Sequence, residues 1–272
     1  MKSRTARIGA MSIMVAVTQL SCLGSPTPLA PGVAGSVGLP HHGVLTTPKE
    51  IPVRGQGYVR YRPHGDRNFG TRTLVSAIER AAKRVTNEFH DSPPLVVGDL
   101  SARSGGRISG HASHRTGRDV DLLYYATTLE LVPISSPGFV HFGADTLARK
   151  PDGSYICLDI PRQWALIRAL LTDRDVEVLW MFVSRDIEAF LIDYGRSIGE
   201  PPELLLKAER VLHQPRDSAN HDDHLHLRVA CTNEESVMGC ESGGPNWPWL
   251  RSFEVADDTD ALAQPEEPVQ SN

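Results

Sequence analysis

The chain has 272 residues, 40% of them hydrophobic and 22% charged, which are the proportions of a soluble globular protein with an ample core. Its formal charge of −5 is unevenly spread: Lys2, Arg4 and Arg7 stand near the start, and residues 253–272 hold six acids and no base. The remainder is close to neutral, which speaks against a nucleic-acid binder, a class that shows a basic face.

The opening "MKSRTARIGAMSIMVAVTQLSC" has a basic start, an apolar run from about Ile8 to Val17, and then small residues. The run is too short to span a membrane and fits an export signal over residues 1–22. Cys22 at its end offers an acylation site, so a membrane partner is expected only through a lipid anchor there. "TQLSC" lacks the aliphatic residue three positions upstream that such an anchor favours. Residues 23–45, rich in Pro, Gly and Ser with no apolar period, read as a flexible linker. The folded domain is expected over 46–252, followed by an acidic tail, 253–272, with too little to bury.

Within the domain, "TRTLVSAIERAAKRVTNEF" repeats Leu74, Ile78, Ala81, Ala82, Val85 and Phe89 at helical spacing. "PLVVGDLS" (94–101) is a short apolar run ended by Gly and Asp, a strand, and "RDVDLLYY" alternates before turning apolar, another strand. "PRQWALIRALLTD" opens with Pro161 at a helix start and carries Trp164, Ile167, Leu170 and Leu171 on one side. "VEVLWMFVS" (176–184) is the strongest strand, "DIEAFLIDYGRS" and "PPELLLKAERVLH" are helices, and "HLHLRVA" is a strand of period two. "GRISG" and the loop around 126–156 interrupt any βαβ rhythm. The expected fold is a single α+β domain with a mostly antiparallel central sheet flanked by helices. Cys231 and Cys240 are the favoured disulfide of an exported chain; the alternative is that Cys157 pairs with one of them, and otherwise it stays buried and free.

Two windows concentrate the polar chemistry. "SGHASHRTGRDVDLL" (109–123) and "HDDHLHLRV" (221–229) hold five of the eleven histidines. A catalytic zinc ion needs about three protein ligands and one open position. His114 and Asp121, seven apart, do not share a helix face, but a loop turning at Gly117 into a strand brings them to one point. His224 and His226, two apart on a strand, project from the same face. His114, Asp121 and His226 make a His2Asp set suited to acidifying a water and polarising an amide carbonyl. His224 is then placed to take a proton from the attacking water and return it to the leaving amine. His111 and His221 could position substrate or orient catalytic groups, with Asp119, Asp222 and Asp223 fixing ring tautomers. Spacing alone does not choose three ligands from five histidines, and each window by itself also reads as an ordinary polar loop.

Together the windows resemble the signature segments of the penicillin-insensitive murein endopeptidases. That family belongs to a wider group of zinc peptidases with lysostaphin-type enzymes, D-Ala-D-Ala carboxypeptidases and the hedgehog signalling domain. The group's pattern of a His, an Asp seven residues on and a last His on a distal strand is met by His114, Asp121 and His226. His111, and His221 with His224 in "HDDHLH", match the endopeptidase branch, as does the flanking "VVGDLSARSGG"; the likeness covers about residues 50–245. The resemblance implies Zn2+ on His114, Asp121 and His226, with His224 as base and His111 and His221 as accessory residues. It also implies a periplasmic enzyme that cuts the D-alanyl–meso-diaminopimelyl bridge of cross-linked peptidoglycan. Competing expectations are a zinc-containing wall-binding module without turnover and a D-Ala-D-Ala carboxypeptidase.

Other candidates are weaker. Ser109 and Ser113 lie near histidines but outside any G-x-S-x-G context, which argues against a serine nucleophile. Arg103 or Arg107 of "GDLSARSGGR" could hold a substrate carboxylate, though solvated arginines are the plainer reading. His141 is expected to be buried and hydrogen-bonded, and Trp247 and Trp249 to pack on the core.

Overall fold

The computed structural model describes residues 35–250; the proposed export signal, Cys22, residues 23–34 of the linker and the acidic tail lie outside the described residues. Seven strands form the central sheet: β1 (Arg54–Gly55), β2 (Tyr58–Arg60), β3 (Leu95–Val97), β4 (Asp119–Leu123), β5 (Val178–Phe182), β6 (Leu212–His213) and β7 (His224–Val229). Their order is β6-β5-β7-β4-β3-β2-β1. The β5–β6 and β2–β3 pairs are parallel and the other four antiparallel, so the sheet is mixed but mostly antiparallel.

Five helices accompany the sheet. The first, α1 (Arg72–Glu88), begins where the Thr71 hydroxyl accepts from the Leu74 N–H, and it buries Leu74, Ile78, Ala81, Ala82 and Val85 at the expected spacing. In α2 (Ile160–Leu171), Asp159 caps the N-terminus, Pro161 sits in the first turn, and Trp164, Leu166 and Ile167 are buried. This helix packs between α1 and α3 (Arg185–Ser197), and α4 (Pro202–Val211) lies against α2, α3 and β5. The fifth, α5 (Asn233–Val237), is a single capped turn.

The site follows from the register of β4 against β7. These antiparallel strands pair Arg228 with Asp119, His226 with Asp121, and His224 with Leu123. Alternation then gives the two faces different chemistry. Val120, Leu122, Leu225, Leu227 and Val229 face one way and are at most 1% exposed, inside the core. Asp119, Asp121, His224, His226 and Arg228 share the other face and form a polar row across two adjacent central strands.

Sequence reading and structure part in several places. Residues 36–45, expected in a flexible linker, form an antiparallel hairpin of Ser36–Leu39 with His42–Leu45. Its period is hidden because each strand has four residues, and Gly and Pro interrupt them. Tertiary bonds hold it: the fully buried Arg118 donates to Ser36 Oγ (2.9 Å), and to the carbonyls of Gly38 (3.4 Å), Val229 (3.3 Å) and Glu241 (2.7 Å). The stretch 126–158 is a second, four-stranded antiparallel sheet whose strands are too short to show a period. His141 is exposed, not buried, because Val140 and Phe142 on either side take the inward positions; its Nδ1 lies 2.6 Å from Asp222 Oδ1. Cys231 and Cys240 form the expected disulfide, and Cys157 is free and half-buried. Trp247 and Trp249 stack on each other and pack against the core. Among the described residues, no helix is long and apolar enough to cross a membrane.

Candidate metal centre

The first window delivers its residues as a loop feeding β4. Gly117 turns the chain in the left-handed region (φ 73°), where an added Cβ would lie 2.8 Å from the Leu45 side chain, so the turn requires glycine. His114 is also left-handed (φ 62°), a strained conformation costing on the order of 1 kcal/mol for a residue with a side chain. Buried Ser101 holds this loop: its hydroxyl donates to the His114 carbonyl and accepts from the Gly117 N–H. The His114 ring thereby turns inward, 1% exposed, beneath β7.

Three ring nitrogens converge on one carboxylate oxygen. Asp121 Oδ1 lies 3.2 Å from His114 Nε2, 3.2 Å from His226 Nδ1 and 3.3 Å from His224 Nε2, while His114 Nε2 and His226 Nδ1 are 3.3 Å apart. The far side of each ring fixes its proton. His114 Nδ1 donates to the Leu100 carbonyl (3.0 Å), His226 Nε2 to Asp119 Oδ1 (2.9 Å), and His224 Nδ1 to Asp223 Oδ1 (2.6 Å). In their neutral forms, all three rings therefore point a lone pair at a buried carboxylate oxygen that accepts no well-aligned hydrogen bond. Lone pairs facing an anion at this range repel unless a cation lies among them. Ligands held about 2.0–2.1 Å from a tetrahedral centre stand about 3.3–3.4 Å apart, which matches the His114–Asp121–His226 triangle. The residues present fit a divalent metal.

In the chain without an ion, the same groups act on one another as charged partners. Burial works against charge on Asp121, but the pull of His114 and the approach of His224 and His226 hold its carboxyl well below the usual carboxylate range. Burial also opposes protonation of His224, yet Asp121 and Asp223 outweigh it and push the ring up to about 10. Burial, then His226 and His224, lower His221 to about 4, and its Nδ1 is buried with no hydrogen-bond partner.

The remaining candidates surround this centre. The His111 ring lies 4.3 Å from that of His114 between centroids, tilted by 54°; it donates from Nε2 to Asp99 Oδ2 (3.1 Å) and brings Nδ1 to 3.8 Å from Asp121 Oδ2. The His221 ring lies 5.4 Å from His224 and 5.9 Å from His226. Asp119 and Asp223 orient ring tautomers, whereas Asp222 instead bonds His141 and Asn220. All five window histidines and Asp121 line one cleft of about 490 Å3, with Phe182, His41 and Arg228. Arg103 and Arg107 are exposed, and Arg103 lies over the Phe69 ring. Sequence reasoning missed Asp99, which anchors His111, Arg62 and Arg67. It also missed Arg228, the third polar residue of the alternating strand, and His41, hidden in the supposed linker.

Comparison with known proteins accords with this geometry. Residues 36–247 match the family model for penicillin-insensitive murein endopeptidase. Penicillin-insensitive murein endopeptidases are similar along most of their length. The Haemophilus influenzae protein is 27% identical over 226 residues, which is 81% of this chain and 71% of the relative. The Klebsiella pneumoniae subsp. pneumoniae protein is 29% identical over 221 residues, 79% of this chain and 72% of the relative. That of Escherichia coli O157:H7 is 28% identical over 236 residues, 85% and 77% respectively. With the match spanning the hairpin, both windows and the cleft between them, the chain belongs to the penicillin-insensitive murein endopeptidase family.

Proposed function

We propose that this protein is a zinc-dependent endopeptidase that hydrolyses the D-alanyl–meso-diaminopimelyl cross-links of peptidoglycan outside the cytoplasm. The observation that carries the reading is the triangle of His114 Nε2, Asp121 Oδ1 and His226 Nδ1 at 3.2–3.3 Å, opening into a peptide-sized cleft. Those three residues would hold Zn2+, which when bound polarises the scissile carbonyl and makes a water acidic near neutral pH. His224 Nε2, oriented through Asp223, takes the proton from the attacking water and delivers it to the departing amine. His221, kept neutral by burial, and His111, tethered to Asp99, border the reacting bond as hydrogen-bonding groups for substrate. The export signal at residues 1–22 belongs to the same reading, since the substrate lies outside the membrane.

The test is digestion of purified cross-linked murein, with products identified by mass. Metal-loaded protein is expected to convert cross-linked dimers into monomers, and chelation to stop it. Dimers that persist with correctly folded, metal-loaded protein would refute the hydrolase reading in favour of a wall-binding module. Release of a single terminal D-alanine would mark a carboxypeptidase.

A further inference from the structure

One strong hydrogen-bonding group in the cleft has no task in this scheme. Arg228 stands two residues beyond His226 on the same face of β7, opposite Asp119 in register. Its Nε donates to Asp119 Oδ1 at 2.6 Å, and its guanidinium carbon lies 5.4 Å from the centre of the Phe182 ring. The side chain is only 12% exposed, yet it lines the cleft. Among the described residues, no acceptor bonds either terminal nitrogen. A guanidinium fixed at Nε and stacked on an aromatic ring loses little further freedom on binding, and its free edge suits a planar anion held by two parallel bonds.

The anion site is also tied to the chemistry through one shared side chain. His226 Nε2 and Arg228 Nε share one oxygen of Asp119, at 2.9 and 2.6 Å, while the opposite nitrogen of the His226 ring faces Asp121. Arg228 therefore lies in the same cleft as the converging ligands, separated from them by the shared Asp119 oxygen and the His226 ring. A carboxylate close to the cleaved bond would share the cleft with it. The other acids lining the cleft are Asp121, enclosed by histidines, and Asp217 on an exposed loop.

We infer that Arg228 is a specificity-determining residue that binds a free carboxylate of the substrate next to the scissile amide. The inference rests on the peptidase reading above: in the proposed cross-link, the carbon bonded to the scissile nitrogen carries such a carboxylate. Asp119 then has two tasks, orienting His226 for the metal and Arg228 for the substrate, so metal site and anion site are set by one buried side chain.

The experiment compares a cross-linked muropeptide dimer with the same dimer in which that carboxylate is a carboxamide. Binding to metal-loaded protein is measured by calorimetry and cleavage by product analysis. Wild-type protein is expected to bind the carboxylate form about tenfold to a hundredfold more tightly. Arg228→Gln should bind both forms alike, and Arg228→Lys, which keeps the charge beside Asp119 without the fork, should recover part of the preference. Metal content and thermal unfolding of each variant show whether the centre is intact. If wild type does not discriminate, or if a folded, metal-loaded Arg228→Gln discriminates as wild type does, the inference is overturned. Discrimination in binding without turnover would leave the carboxylate site standing and remove the hydrolase reading instead.

Discussion

Asp119 and His226 meet diagonally across the β4–β7 ladder, with Oδ1 2.9 Å from Nε2, and neither is more than 7% exposed at its side chain. Burial disfavours the Asp119 charge, but Arg228, then His226 and His114, hold the carboxyl far below its ordinary range. A permanent carboxylate at that position keeps the His226 proton on Nε2, leaving Nδ1 free for a metal. Asp119→Asn replaces it with a neutral, weaker acceptor. We expect metal affinity to fall about tenfold to a hundredfold, measured by competition with a chelator of known affinity. Unchanged affinity would show that the ring is oriented without Asp119.

On the proposed reading His224 handles protons and does not bind the metal, although its Nε2 lies as near Asp121 as the facing nitrogens of His114 and His226 do. If it handles protons, His224→Ala should keep one metal ion per chain while the cleavage rate falls by about 10²–10⁴-fold. His114→Ala removes a corner of the triangle, and both metal and activity should be lost. The discriminating readout is metal content by elemental analysis beside the rate. Loss of the ion from His224→Ala would make His224 a ligand.

Much of this centre was legible because strand periodicity is a strong physical code. The alternation in "DVDLL" and "HLHLRV" placed the polar residues on one face before any register was known. Gly117 as a turn residue was readable from its type, whereas the close approach of Leu45 that requires glycine there is a tertiary contact. Spacing did not distinguish His226 from His224, because both share a face; the tautomer bonds to Asp119 and Asp223 come from side chains whose pairing depends on tertiary register. Asp99, which holds His111, and His41, which lines the cleft, were hidden for a related reason: each stands in a segment whose local pattern says only strand end or linker. The hairpin around Gly38 was misread because its order comes from Arg118 and the segment after β7, a contact between distant parts of the chain.

Asp99 gives a pH dependence with a definite sign. Burial raises its pKa, but hydrogen bonds from His111 and Arg67 and the charge of Arg62 outweigh burial, so the folded-state pKa lies below the ordinary value. Asp99 therefore contributes stability above an unfolded pKa of about 3.9, and that contribution is lost as pH falls through the lower folded-state value. In metal-free protein, Asp99→Asn should cost about 1–2 kcal/mol at pH 7, and the gap from wild type should narrow below pH 4. Urea denaturation at pH 7, 4 and 3 measures it. A gap that is constant with pH would assign the effect to packing.

The disulfide closes a short loop that grips the hairpin. Between Cys231 and Cys240, α5 carries a capping box of Thr232 and Glu235, and Glu235 Oε1 also accepts from the Ser36 N–H at 3.2 Å. Gly38 bonds to both sides of Cys240, its N–H to the Gly239 carbonyl (2.8 Å) and its carbonyl to the Glu241 N–H (3.1 Å). Further along the hairpin, the Pro40 carbonyl accepts from the Arg115 N–H, next to His114. Replacing both cysteines by serine releases a loop of about ten residues in the unfolded chain, which costs about 2–3 kcal/mol. The proposed metal ligands His114, Asp121 and His226 stand on β4, β7 and the Gly117 loop rather than on this loop. The double variant should therefore unfold at lower urea concentration yet bind one metal ion per chain. Metal loss at a pH and temperature where the variant stays folded would show that the hairpin, held by this loop, is what keeps His114 in its left-handed conformation.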